Sequence, residues 1–159
     1  MAVASVVATT AVAGGDKHLS TRLTGFQEVP AISTDAGGKF RAKLRTSSQE
    51  IQYELSYADL TGAVQQAHIH LGQRAVNGGI SVFLCSNLGN GPAGTQACPA
   101  APATITGTIR PADVIGPASQ GLEAMQFDEL VRAIRAGVTY ANVHTETFPG
   151  GEIRGQLND

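Results

Sequence analysis

The sequence predicts an all-β domain, a sandwich or barrel of about eight short strands with one short helix near residues 127–136. Three observations predict this class. The 159-residue chain contains 19 glycines and no tryptophan, a composition that suits short strands joined by many turns. Two segments alternate strictly between apolar and polar residues, as half-buried strands do. One further segment repeats with the period of an amphipathic helix.

The two alternating segments are GKFRAKLR and EIQYELSY, at residues 38–45 and 50–57. A turn-like TSSQ separates them, so we expect an antiparallel hairpin. The polar face of the first segment carries four cations, Lys39, Arg41, Lys43 and Arg45. The remaining strands are predicted at residues 19–26, 64–71, 80–85, 104–110, 138–146 and 152–157.

The helix is predicted from FDELVRAIRAG, at residues 127–137. Two acidic residues favour its N-terminal end, and Gly137 ends it. Its apolar residues are spaced i, i+3, i+4 and i+7, which places them on one face. This face is expected to pack on the core and carries no chemistry; it consists of Phe127, Leu130, Val131 and Ile134.

Composition indicates one domain and names no charged partner. The formal net charge is −2 and charged residues make up 15% of the chain, below the roughly 25% of an average soluble domain. We therefore expect neither a nucleic-acid-binding stripe nor a polybasic membrane patch. The G-x-S-x-G, H-E-x-x-H and phosphate-loop motifs are also absent, so the sequence predicts no catalytic residue.

Residues 1–15 are excluded from the predicted fold, which comprises a single domain at 16–159. They are small and apolar, and Ala11-Val12-Ala13 has the A-x-A form of an export cleavage site. The run is too short and too weakly apolar to span a bilayer. Two interpretations stay open: a signal-peptide remnant, which predicts a periplasmic or extracellular protein, and a disordered alanine-rich tail.

The two cysteines, Cys85 and Cys98, bracket a glycine-rich loop, SNLGNGPAGTQA. An even number of cysteines in an exported chain favours a disulfide, which stabilises a fold by about 3 kcal/mol for a loop of this size. Free thiols or soft metal ligands are the alternatives, although neither cysteine has a second ligand close in sequence.

A histidine pair stands out in QQAHIHLGQ, at residues 65–73. Residues i and i+2 of a strand share a face and lie about 6.6–6.8 Å apart, so His68 and His70 point to the same side. The other side carries the apolar residues of the strand and is the better candidate for the core. Both imidazoles are therefore expected to project away from the core, where a solvated pair and a metal site are the two alternatives.

Two later strands also turn polar residues away from the core. In VTYANVHTE this set is Tyr140, Asn142 and His144, and in GEIRGQL it is Glu152, Arg154 and Gln156. Alternation alone does not show whether the three sets are neighbours. Neutral imidazole binds copper and zinc well, so a third histidine beside the pair would complete a metal site.

Three stretches resemble the CHRD domain, a module named for its repeats in chordin, over residues 19–157: LTGFQEVPAISTDAGGKFRAKL, AHIHLGQRAVNGGISVFL and IRAGVTYANVHTETFPGGEIRGQL. The resemblance implies an immunoglobulin-like or Greek-key β-sandwich. Exported bacterial members of the family are common. In chordin the module belongs to an extracellular protein that engages signalling ligands, but fold does not determine function.

A weaker resemblance is to the copper site of copper-zinc superoxide dismutase, an eight-stranded Greek-key barrel with copper on its outer surface. His68 and His70 match the H-x-H ligands of that family, His144 the V-x-H ligand and Arg154 the guiding arginine. The zinc-binding loop and the bridging histidine have no counterpart, so no zinc site is expected. The candidates for a fourth ligand or a supporting role are Met125, Glu146, Glu152, Arg154 or, as a ligand, water.

Two functions follow. The first is an exported copper-binding protein for storage, delivery or detoxification, with one copper ion at a surface site of His68, His70 and His144; superoxide dismutase-like chemistry is secondary. The second is a metal-free extracellular interaction module that contacts a protein through its polar face or disulfide loop. For Glu28 in QEVP, an ion pair with an arginine such as Arg154 is the preferred role. An Asp16-Lys17-His18 copper site is a further, minor alternative.

Overall fold

One antiparallel sheet of eight strands curls into a nearly closed barrel, in a computed structural model that describes residues 17–157. The order across the sheet is β5-β4-β7-β8-β1-β2-β3-β6, so β6 returns beside β3 and β7 beside β4, as in Greek-key folds. All eight predicted strands are confirmed, with ends that differ by at most two residues. The strands are β1 (Lys17–Thr24), β2 (Gly37–Arg45), β3 (Glu50–Ala58), β4 (Val64–Leu71), β5 (Gly79–Ser86), β6 (Ala103–Ile109), β7 (Thr139–Thr145) and β8 (Ile153–Leu157).

The predicted hairpin forms between β2 and β3, and its alternation builds one wall of the core. Phe40 lies opposite Leu55, and both side chains are fully buried. Leu44 lies opposite Ile51 and is buried in the same way. Because directly opposite residues share a face, this register places every charged residue of β2 on the outside of the barrel.

The barrel is not closed by strand pairing between β5 and β6. Instead, the Tyr53 hydroxyl donates to the Leu84 carbonyl, and the Gln96 amide donates to the carbonyls of Leu84 and Thr106, which belong to the two edge strands. Cys85 and Cys98 form a disulfide, as predicted. Gln96 lies on the loop that this disulfide closes.

The predicted helix is confirmed as α1 (Phe127–Arg135). Its four apolar residues are at most 3% exposed and join the core. Within residues 17–157, no helix is long and apolar enough to cross a membrane. The prediction for residues 1–15 lies outside the described residues.

Candidate metal centre

The three strands that carry polar sets lie side by side, because β7 pairs with both β4 and β8. His68 lies opposite Asn142, which in turn lies opposite Arg154. His70 lies opposite Tyr140, and His144 follows two residues after Asn142 on the same face of β7. The structure thus brings together the histidines and the arginine that the sequence could place only on separate strands.

Irregular pairing of β4 accompanies this arrangement. Its register with β5 shifts on either side of His68 and Ile69, and its register with β7 shifts between Val64 and Gln66. Irregularities of this kind twist a strand locally and change the direction of its side chains. The opposite face of β4 packs on the core as expected, with Ala67 and Ile69 fully buried.

The expectation of a surface site is wrong, because all three histidines are buried. His68, His70 and His144 are 0%, 7% and 6% exposed. The face that points away from the core is covered by the loops after β4 and β7, whose Gly78 and Pro149 carbonyls contact the imidazoles. Alternation correctly identified the face of the strand, but it carries no information about loops that fold over that face.

Gly78 allows the first of these loops to close. A Cβ atom at this position would lie 1.7 Å from the carbonyl oxygen of Leu71, which no other residue type tolerates. The loop therefore approaches β4 closely enough for the Gly78 carbonyl to reach Nδ1 of His70, at 2.9 Å. His68 is covered differently, by the ring of Phe83 on β5, with the ring centroids 4.4 Å apart.

The loop carbonyls select the tautomers of two imidazoles. Nδ1 of His70 donates to the Gly78 carbonyl, and Nδ1 of His144 donates to the Pro149 carbonyl, each at 2.9 Å. A neutral imidazole with its proton on Nδ1 has a lone pair on Nε2. Metal-binding histidines usually hold their second nitrogen in this way, which orients the ring and fixes the tautomer.

The nitrogen atoms converge on one small volume. One ring nitrogen from each histidine lies within 4.8 Å of the other two, and Nδ1 of His68 is 3.1 Å from Nε2 of His144. Two metal–nitrogen bonds of about 2.0–2.1 Å hold their nitrogens at most about 4.2 Å apart. A shared ion therefore requires the widest pair of nitrogens, now within 4.8 Å, to close to about that distance.

The imidazoles are neutral at physiological pH. Burial lowers the pKa of His68 from 6.5 to about 2, and the neighbouring histidines lower it further. Burial also lowers the pKa of His70 to about 4, against the opposing effect of the Gly78 carbonyl, and it lowers the pKa of His144. Three deprotonated ring systems in a buried space are ready to bind a cation without first releasing protons.

Two nitrogens of the cluster have no hydrogen-bond partner. Nε2 of His68 and Nε2 of His70 are both fully buried and unpaired. Buried polar atoms are rarely left unpaired in folded proteins, and each such atom calls for an explanation. The lone pair of His70 Nε2 is one that an ion could satisfy.

Asn142 and Glu28 support the cluster and were given no role in it from the sequence. Oδ1 of Asn142 lies 3.1 Å from Nε2 of His144, while its Nδ2 faces the Glu28 carboxylate beside Gly151. With the His144 proton on Nδ1, two acceptor atoms face each other at that 3.1 Å contact, which an adjacent cation would stabilise.

Glu28 is buried, and its Oε1 has no hydrogen-bond partner. Burial raises its pKa from 4.5 to about 7, against the opposing effects of Arg154 and the Asn142 side chain. The Glu28 carboxylate and the Arg154 guanidinium interact electrostatically. Among residues 17–157, however, the ion pairs within 4.0 Å do not include Glu28 and Arg154, so the predicted pairing is electrostatic without direct contact.

Arg154, Tyr140 and His70 form a stack. The guanidinium carbon of Arg154 lies 3.4 Å from the centre of the Tyr140 ring. The Tyr140 ring is also parallel to the His70 ring, with the ring centroids 4.7 Å apart. Arg154 is 1% exposed and donates to the carbonyls of Gln73 and Val76 in the loop after β4. Arg154 thus holds that loop, and Tyr140 fixes the plane of His70.

The remaining candidates for a fourth ligand lie apart from the nitrogens. Glu152 is fully buried, but its carboxylate accepts hydrogen bonds from Thr34, Thr61 and Thr145. Burial acts to raise its pKa, but these hydrogen bonds together lower it. Glu146 is exposed, Met125 is 65% exposed, and neither acid belongs to the histidine group in residues 17–157. Among the described residues, the histidine group therefore includes neither acid.

The fold and the site define an all-β module that has one disulfide-closed loop and a buried cluster of three histidines. The CHRD domain profile matches residues 19–157, and the chain belongs to the CHRD domain family. This membership and the disulfide are consistent with a periplasmic or extracellular module. Neither a curated protein nor a solved structure matches the chain significantly.

Proposed function

We propose that this protein is an exported copper-binding CHRD protein that holds one copper ion between His68, His70 and His144, for storage, delivery or detoxification. The observation that carries the proposal is the buried cluster itself. Loop carbonyls hold Nδ1 of His70 and Nδ1 of His144, which leaves the lone pair of each ring on Nε2. Nε2 of His144 lies 3.1 Å from Nδ1 of His68, whereas Nε2 of His70 and Nε2 of His68 have no hydrogen-bond partner. A bound ion supplies the partner that the buried nitrogens lack.

The ligand set favours copper in its monovalent state. The group contains three neutral imidazoles and no carboxylate or thiolate to balance the charge of an ion. Burying uncompensated charge is costly, and a monovalent ion brings half the charge of Zn²⁺. The Arg154 cation stacked on Tyr140 adds to the cost of a divalent ion. Imidazole suits copper, and three ligands leave one coordination position open for transfer or redox chemistry.

The weaker likeness to the superoxide dismutase copper site supports the same three ligands. Arg154 differs from the guiding arginine of that family, because its guanidinium stacks on Tyr140 and donates to two loop carbonyls. Superoxide turnover accordingly stays secondary in the proposal, behind binding.

The second candidate is a metal-free interaction module. The disulfide loop favours it, because Leu88 is 49% exposed there beside polar neighbours and an exposed apolar side chain can anchor a partner. This candidate predicts no specific copper affinity, so one titration separates the two.

The test is a competition titration of metal-free protein with Cu(I) against a chromophoric chelator, repeated with Zn(II). The proposal predicts one equivalent of Cu(I) bound, loss of that binding in His70→Ala, and no loss in His18→Gln, which removes an exposed histidine on β1. Affinity weaker than micromolar, or equal losses in both variants, would contradict it. Circular dichroism confirms that each variant is folded.

A further inference from the structure

The side of β1, β2 and β3 that points away from the core is strongly basic. We define the basic face as the outward residues of these three strands together with Arg110, which follows β6. It holds six of the chain's 11 lysines and arginines but only two acids, Glu50 and Glu54, so six positive and two negative charges give +4 in a chain of net −2. Its cations are Arg22, Lys39, Arg41, Lys43, Arg45 and Arg110.

Four of the cations form a row along β2. Successive outward residues of a strand lie about 6.6–6.8 Å apart, so the row from Lys39 to Arg45 is about 20 Å long. Arg22 lies opposite Lys39, and His18 lies opposite Lys43, which widens the row onto β1. Each spacing is shorter than the Debye length of about 8 Å at physiological salt, so the charges act on a ligand as one field.

The two acids of the basic face do not cancel it. Glu54 pairs with Arg41 at 3.1 Å, and Glu50 pairs with Arg110 at 2.8 Å. In both pairs the arginine side chain is more than half exposed, and exposed ion pairs of this kind contribute at most about 1 kcal/mol. An anionic ligand can therefore replace the glutamates at little cost.

We propose that the basic face binds a linear anionic polysaccharide, one that carries carboxylate or sulfate groups along its length. The row matches an extended polyanion in shape and sign of charge. Ser20, Gln52 and Ser56 lie among the cations and offer hydrogen bonds to sugar hydroxyls. The proposal is independent of the metal centre, which lies on β4 and β7.

Other polyanions fit the basic face less well. No outward position of β1, β2 or β3 carries phenylalanine, tyrosine or tryptophan, so the face lacks the stacking platform of single-stranded nucleic acid binders. The large exposed apolar side chains of residues 17–157 lie outside these strands, so the face has no anchor to insert into a bilayer. The strands of this face belong to one eight-stranded sheet, whereas the elements that enter the DNA major groove are a helix or a two-stranded ribbon.

The test uses the full chain and measures binding to labelled heparin and to polygalacturonate, with neutral dextran as the control ligand. Binding to at least one polyanion is expected in 20 mM salt, with release in 0.5 M salt. The double variant Arg22→Gln/Lys39→Gln is expected to bind about tenfold more weakly or worse. The matched control, Arg74→Gln/Arg132→Gln, removes two exposed charges elsewhere and is expected to change binding less than twofold.

Three results would overturn the proposal. The first is no binding of either polyanion in 20 mM salt. The second is an equal loss in the two double variants, which would mean that only net charge matters. The third is tighter binding to single-stranded DNA or to phosphatidylglycerol vesicles than to both polysaccharides, which would assign the face to another class of partner. Urea unfolding of each variant shows whether the fold is intact.

Discussion

The buried histidines predict that the metal-free protein loses stability in acid. Burial lowers the pKa of His68 to about 2 and that of His70 to about 4, whereas both have a pKa near 6.5 in the unfolded chain. Below pH 6.5 the unfolded chain therefore binds more protons than the native state. The stability that these groups contribute is present above pH 6.5 and is lost as the pH falls.

The size of the loss follows from these values. At pH 5, protonation of one unfolded histidine stabilises the unfolded state by about 2 kcal/mol, so His68 and His70 together account for about 4 kcal/mol relative to pH 8. His144 acts in the same direction. Glu28 opposes them: its raised pKa makes the native state bind more protons between pH 4.5 and 7, which returns about 2–3 kcal/mol at pH 5.

The assay is urea unfolding of metal-free protein at pH 8 and pH 5, for the natural chain, Glu28→Gln and His18→Gln. Glu28→Gln removes the opposing effect, so its loss of unfolding free energy should exceed that of the natural chain by about 2 kcal/mol. His18→Gln removes an exposed histidine outside the cluster and is the matched control. A loss below about 1 kcal/mol in Glu28→Gln would refute buried, neutral imidazoles.

Three further predictions concern the same structure. Cu(I) affinity of the folded protein should change less than threefold between pH 8 and pH 6, because the ligands are already deprotonated; a tenfold fall per pH unit would indicate exposed histidines. Gly151→Ala should destabilise the protein by about 1–3 kcal/mol in urea unfolding, since the φ of Gly151 is 125° and a Cβ would lie 2.4 Å from the Glu28 carboxylate. A Cβ at Gly150 would meet open space, so Gly150→Ala should unfold like the natural chain. Reduction of Cys85–Cys98 should lower the unfolding free energy by about 3 kcal/mol, and an unchanged urea midpoint would contradict this.

Local patterns in the sequence predicted the strands and the helix closely. Alternation in β2 and β3 placed Phe40 and Leu55 inside because a half-buried strand has a period of two. The spacing of the α1 residues predicted a buried stripe for a similar reason. The same alternation placed His68 and His70 on the face away from the core, and the neighbouring positions of β4, β7 and β8 confirm their common side with His144.

What the sequence did not predict depends on contacts between distant segments. The loops over the histidines come from residues whose paths are set by tertiary packing, so alternation gave a surface site where the structure has a buried one. Glu28 reaches Asn142 from the loop after β1, a contact with no local signal. The basic face was missed because a net charge of −2 averages over the whole chain, whereas the strand register gathers six cations on one side.

The most direct test of the proposed site is X-ray absorption at the copper edge of protein loaded with one equivalent of Cu(I). We predict three imidazole nitrogens at about 2.0 Å as the main ligands, with no sulfur in the first shell. His144→Ala should reduce that number, and His18→Gln should leave the spectrum unchanged. A spectrum with sulfur or mainly oxygen ligands, or one that His144→Ala does not alter, would contradict a copper site formed by His68, His70 and His144.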